Sequence, residues 1–247
     1  MSEKTQARMR ATYGARYASG WSFRDHWFGD LASRYILPNY YRWTDAFLRD
    51  LGPSAIVELG AGDGEMTDII RDRGPRWLGS ITPTDLVPAG AARLRAKGYG
   101  AARQADACAT PFGDDEFDVA VTYDVMHHVT DPAAMAREMV RIARTRVFLV
   151  EANGASLMRR LLELTNMYRQ AGENSYLPRQ YRRFFALPGV ARVEIDPFQF
   201  VPPRALSPFA PLTIAISEAL QHVPLLRWQC SGVRIRVTLD KPGPARR

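Results

Sequence analysis

Between residues 55 and 152 short apolar runs alternate with segments whose apolar positions recur at helical spacing. "AIVEL", "WLGSITPTD", part of "AARQADA", "FDVAVTYD" and "RVFLVEA" predict strands, while "EMTDIIRDRG", "AGAARLRAKG" and "DPAAMAREMVRIAR" predict helices. Gly74 and Gly98 stop the first two helices, and Asp131-Pro132 opens the third as N-cap and first turn. Strands that alternate with helices in this way imply a parallel sheet with crossover helices. Pro83 is expected to weaken the second strand.

The flanks read differently. Residues 1–50 are dense in aromatics and predict two or three helices, broken at Pro38 and finished near Gly52-Pro53. Beyond Glu151, "SLMRRLLELTNMYRQAG" and "PRQYRRFFALPG" predict helices. "ARVEIDPFQF" and "GVRIRVTLD" alternate with period two and predict strands that pair as an antiparallel edge around an amphipathic helix at 211–226. The organisation expected is a helical lid at 1–52, an α/β core at 53–152, a cap insertion at 153–210, a closing helix and strand at 211–240 and a tail at 241–247.

Composition narrows the class. A chain of 247 residues with 46% hydrophobic residues can bury a sizeable core, which excludes global disorder. Cys108 and Cys230 make neither a metal spacing nor a disulfide framework, and the first residues carry no apolar signal segment. The expectation is a reduced, cytoplasmic setting with no metal and no stable membrane insertion. The net charge of +7 is almost all arginine, with lysine only at Lys4, Lys97 and Lys241. No arginine run exceeds a pair, so nucleic acid is not the favoured partner.

Candidate chemistry begins at "VELGAGDG", where an acid ends the first strand and Gly60, Gly62 and Gly64 follow. Glycines between a strand and a helix let backbone N–H groups approach a ligand closely. Glu58 would repel a pyrophosphate but suits a cation or a ribose. Asp85 stands about 20 residues further on, where doubly wound folds hold ribose hydroxyls, and Leu86 can cover one face of a flat ring. Asp106 follows the third strand, so Glu58, Asp85 and Asp106 form an ordered series at strand C-termini, the edge at which open α/β sheets bind ligands.

"VELGAGDG", Asp85, "DACATPF" and "FDVAVTYDVMHHVTDPAAMAREMVRIAR" together resemble the class I S-adenosylmethionine-dependent methyltransferases, over roughly residues 53–152. The resemblance implies a Rossmann-like, mostly parallel α/β sheet of about seven strands, the last antiparallel, with helices on both faces and a helical cap. It implies S-adenosylmethionine as cofactor and its demethylated form as product. Glu58 would order the loop and the methionine end; Gly60, Ala61 and Gly62 would pass beneath the methionine and ribose; Asp85 and Leu86 would hold the adenosine. Asp106 and the Ala107 backbone would read the adenine amine, and Thr122 and Tyr123 would border the methionine. An N-terminal helix bearing Tyr13 and Tyr17 would cover the cofactor. The sequence departs from the family in Pro83 and in "ARTRV", which replaces the usual turn before the fifth strand.

In-line methyl transfer needs alignment first and a base only for a poor nucleophile. His127 and His128, after the fourth strand, and Glu151, ending the fifth, are the candidate bases, with Glu151 also a candidate ammonium anchor. Asn166, Tyr168, Tyr181 and Arg182 are the expected acceptor contacts in the cap. The function expected is O-methylation of a small organic acceptor in a specialised biosynthetic route. N- or C-methylation, an RNA or peptide acceptor, a non-catalytic cofactor-binding protein and a homodimeric assembly stay open.

Overall fold

A computed structural model describes residues 11–17, 19–20, 22, 31–165, 174–200, 209–224 and 226–241. Its centre is a seven-stranded sheet in the order β3-β2-β1-β4-β5-β7-β6. The strands are β1 (Ser54–Leu59), β2 (Leu78–Asp85), β3 (Arg103–Gln104), β4 (Phe117–Tyr123), β5 (Ala143–Ala152), β6 (Val190–Phe198) and β7 (Gly232–Leu239). β1 to β5 pair in parallel, and β7 runs antiparallel to both β5 and β6.

The helices are α1 (residues 11–17), α2 (Leu37–Leu48), α3 (Glu65–Arg73), α4 (Pro88–Ala96), α5 (Pro132–Ile142), α6 (Leu157–Glu163), α7 (Pro178–Phe184) and α8 (Ala210–Leu220). Strand alternation feeds two cores, one on each face of the sheet. Val57, Leu59, Ala120, Val147, Leu149 and Ile235 pack with α5 and α7. Ile56, Val119, Val121, Phe148 and Val150 pack with α2 and α3. α5 shows the local logic: Asp131 caps it by accepting from the Ala134 N–H, and Met135, Ala136, Met139 and Ile142 bury its inner stripe.

Three expectations are corrected, and the departure at "ARTRV" is as read. Pro83 does not interrupt β2; it pairs with Glu58 inside a continuous strand. Pro38 does not break the N-terminal helix: a π-helical turn at Ala32–Ile36 leads straight into α2, of which Pro38 is the second residue. At "ARTRV" no turn stands in for the family's loop: α5 ends at Ile142 and β5 starts at Ala143. The cap segment 153–210 contains β6, which belongs to the sheet.

Candidate active site

The parallel strands β1, β2 and β4 deliver their last residues to one rim. Glu58 and Asp85 reach it with only 2% and 6% exposure, and Asp63, inside the glycine turn, is 5% exposed. The turn is built by backbone: Ala61 N–H donates to Thr84 O at 2.7 Å, and Gly60, Gly62 and Gly64 all have positive φ. Gly60 has a second reason to be glycine, since a Cβ there would lie 2.5 Å from Val125 Cγ2. Gly60→Ala is therefore expected to destabilise the protein by about 2–4 kcal/mol, combining left-handed strain with overpacking; a thermal melt reads this directly.

Asp85 organises the turn. Its Oδ2 accepts from the Gly62 N–H at 3.0 Å and its Oδ1 from the Val87 N–H at 2.7 Å. Tyr17 of α1 also hydrogen-bonds to Asp85, so the N-terminal helix lies over the rim. Glu58 accepts from Thr67 Oγ1 at 2.6 Å. Burial raises Glu58 to about 7 and Asp85 to about 6, with Asp63 adding to both shifts. The rim thus resists carrying its negative charge alone and favours a ligand that brings positive charge.

That shift has a signed consequence. A carboxyl group whose folded pKa lies above its unfolded value contributes stability below the unfolded pKa, lost as pH rises through the folded one. For Glu58 the window runs from its ordinary value of 4.5 to about 7. Stability of the ligand-free protein is expected to fall across that window, and Glu58→Gln is expected to flatten the fall, as read by denaturation midpoints at stepped pH.

The second half of the rim follows β4. Glu151, at the end of β5, is fully buried; its Oε1 accepts from the Val125 N–H at 3.0 Å and the Met126 N–H at 2.6 Å, and its Oε2 faces His127 Nδ1 at 2.8 Å. The Glu151 carboxylate therefore holds the His127 ring and the turn at Met126–His128. The reading of Glu151 as a base or ammonium anchor is corrected, since it has no exposed surface and both its oxygens face the Val125–His127 segment. His128 packs against His127 with the rings tilted and 4.1 Å between centroids, and its Nε2 lies 3.4 Å from Tyr13 Oη. Burial and the neighbouring His127 drive the His128 pKa well down, which keeps it neutral.

The structure also brings Asp124, Asp63, Tyr40 and Arg159 to this rim. Asp124 has a φ of +57°, unusual outside glycine. Tyr40 of α2 donates to its Oδ2 at 2.6 Å, and burial raises its carboxyl to about 6. Arg159 of α6 lies near enough for its charge to act on Tyr40, Asp124 and His128. Asp63 was legible as a third acid inside the glycine turn; Tyr40 and Arg159 carried no local signal, because only tertiary folding brings them here.

The remaining assignments divide. Leu86, Asp106 and Ala107 lie beyond the ends of β2 and β3, where Asp106 Oδ1 accepts from the Cys108 N–H at 2.9 Å. The side chains of Thr122 and Tyr123 are committed elsewhere: Thr122 Oγ1 donates to Leu59 O, while Tyr123 stacks on Tyr40 and bonds to Thr44. Tyr181 is a core residue, with no exposed surface and its hydroxyl donating to Ala152 O at 2.9 Å, so it is no acceptor contact. Arg182 is exposed and ties α7 to β6 through Val193 O, which corrects its assignment too. Asn166 and Tyr168 lie outside the described residues.

Comparison with known proteins meets this geometry. Residues 57–150 match the model of a methyltransferase domain. Over these residues the chain is similar to that methyltransferase domain. A relative named as an uncharacterized methyltransferase of Mycolicibacterium vanbaalenii is 27% identical over 120 residues, 49% of this chain and 47% of that one. The chain spans about half the length of that curated relative. Among solved structures, a chain from the complex between the Haloferax volcanii Trm112 methyltransferase activator and a methyltransferase aligns with a TM-score of 0.63 at 18% identity, covering 92% of this chain and 96% of that one. Geranyl diphosphate C-methyltransferase from Streptomyces coelicolor, bound to S-adenosyl-L-homocysteine, aligns at 0.56 and 16% identity, covering 82% and 76%. The methyltransferase fold therefore extends from β1 through β7. Among the described residues no helix is long and apolar enough to cross a membrane, and no group of three or more His, Cys, Asp or Glu could hold a metal ion.

Proposed function

We propose that this chain is an S-adenosylmethionine-dependent methyltransferase that methylates a hydroxyl of a small organic acceptor, in a specialised biosynthetic route. The observation that carries the reading is the pairing of two devices on one rim. One is a glycine turn ringed by Glu58, Asp63 and Asp85; the other is a histidine held by a buried carboxylate.

The residues fit the cofactor on grounds of their own chemistry. Buried carboxyl groups with raised pKa values favour a cationic ligand, and Asp85 is placed beside the backbone of Gly62 for a ribose diol. When bound, S-adenosylmethionine supplies the activated methyl group on its sulfonium. Tyr13 and Tyr17 cover that side of the rim and limit water. Glu151 faces His127 Nδ1, which orients the ring and steadies the imidazolium once it has taken a proton from the acceptor. His128 stays neutral beside it. Arg159 offers positive charge on the acceptor side, suited to an acid group of the acceptor.

Isothermal calorimetry with S-adenosylmethionine and S-adenosylhomocysteine on folded protein is the test. Saturable binding of both is expected, and no heat from either refutes the reading. A pH-independent rate on an amine acceptor, with no turnover of any hydroxyl acceptor, would move the assignment to N-methylation.

A further inference from the structure

β7 alternates cleanly, with Val233, Ile235 and Val237 buried in the core on the α5 side. Its opposite face carries Arg234 and Arg236 where β1, β4 and β5 carry apolar residues toward α2. Neighbouring β6 sets Glu194 and Asp196 across from them. The sheet's last two strands therefore turn a charged surface toward α2 and α8, and a cleft of about 450 Å³ lies there. Its charged lining is Arg42, Arg49, Arg227 and Arg234 against Asp196 and Glu218.

The carboxylates do not balance the guanidiniums. Asp196 is shared among three of them: Arg236 Nη2 at 2.7 Å, Arg234 Nε at 3.6 Å and Arg227 Nη2 at 3.8 Å. Glu218 accepts from Gln221 Nε2 instead. Among the described residues, Arg49 pairs with Asp45, at 3.9 Å on the surface. The Arg234 guanidinium carbon stands 3.3 Å from the centroid of the Trp43 ring, which Arg42 approaches at 4.8 Å. Among the described residues, Arg234 Nε and Nη1, Arg236 Nε and Trp43 Nε1 are buried without a hydrogen bond, the Asp196 oxygen at 3.6 Å from Arg234 Nε lying beyond hydrogen-bond reach. All four are donors, and buried donors are costly unless an acceptor comes. Burial lowers Arg234 to about 10, the direction expected of a cation short of counter-charge.

We propose that this cleft between α2, α8 and the β6–β7 face is a second ligand site, which binds the phosphate group of a small molecule. Guanidiniums converging from α2, β7 and the turn at Leu226–Gln229 match the several acceptor oxygens of a phosphate, and the volume suits a small ligand. The site shares no residue with the carboxylate rim. It does share α2 with it, since Arg42 and Trp43 line the cleft while Tyr40 and Thr44 bond to Asp124 and Tyr123.

The test is calorimetric titration of the full chain with inorganic phosphate, with glycerol 3-phosphate and with phosphatidylglycerol vesicles against phosphatidylcholine vesicles. The variants are Arg42→Gln and Arg227→Gln, whose side chains are partly exposed so that folding should survive; thermal melts verify it. Saturable binding of a soluble phosphate, weakened about tenfold or more in each variant with adenosyl-ligand binding intact, is the expected result. Binding to phosphatidylglycerol vesicles alone, lost in both variants, keeps the phosphate site and assigns it to a lipid headgroup. Absence of binding to every probe, or equal binding by wild type and both folded variants, overturns the proposal.

Discussion

Glu151→Ala is expected to cost about 3–5 kcal/mol of stability, a large share of what holds a domain together. The carboxylate is wholly buried and receives the Val125 and Met126 N–H groups and faces the His127 ring nitrogen. Truncation leaves both N–H groups without an acceptor and the ring without its partner, and each unpaired buried donor costs about 1–3 kcal/mol. The sum is tempered because the turn at Met126–His128 can relax toward solvent. Glu151→Gln keeps one acceptor oxygen and should lose clearly less. Urea denaturation of the two variants measures the difference; an alanine variant within about 1 kcal/mol of wild type would mean that the carboxylate does not hold this turn.

His127→Ala is expected to slow methylation of a hydroxyl acceptor by about 10²- to 10⁴-fold, the usual contribution of a positioned base. His128 cannot take over, because burial and its neighbour keep its proton affinity low. The loss should fall on kcat, and adenosyl-ligand binding should change little, since Glu58, Asp63 and Asp85 stay in place. The pH profile separates chemistry from packing. Wild type should gain rate as the imidazole loses its proton, and the variant should lack that limb. Full rate with an unchanged profile would leave in-line alignment as the whole of the catalysis.

The sequence made some of this legible and hid the rest for physical reasons. Strand-helix alternation, the glycine turn and the acids Glu58 and Asp85 are local patterns, and local patterns survive in a linear reading. The antiparallel partnership of β6 and β7 was also readable from period two. What failed depended on partners far along the chain. Tyr181 looked like a lining residue from its place in an aromatic segment, yet its hydroxyl bonds to Ala152 O and its ring is core. Glu151 looked reactive because it ends a strand at the right edge, and only the loop folding back over it shows that both its oxygens face the Val125–His127 segment. Tyr40 sits 84 residues from the Asp124 it bonds, beyond the reach of any spacing argument.

The strand order carries a consequence for synthesis on the ribosome. β6 is an edge strand whose one neighbour in the sheet is β7, a strand made later. While translation passes residues 190–198, that segment has no ladder to join, and β5 still has an open side. Sheet completion must wait until residues 232–239 clear the exit tunnel, so a nascent chain stalled before them should expose two unpaired strand edges and recruit chaperones.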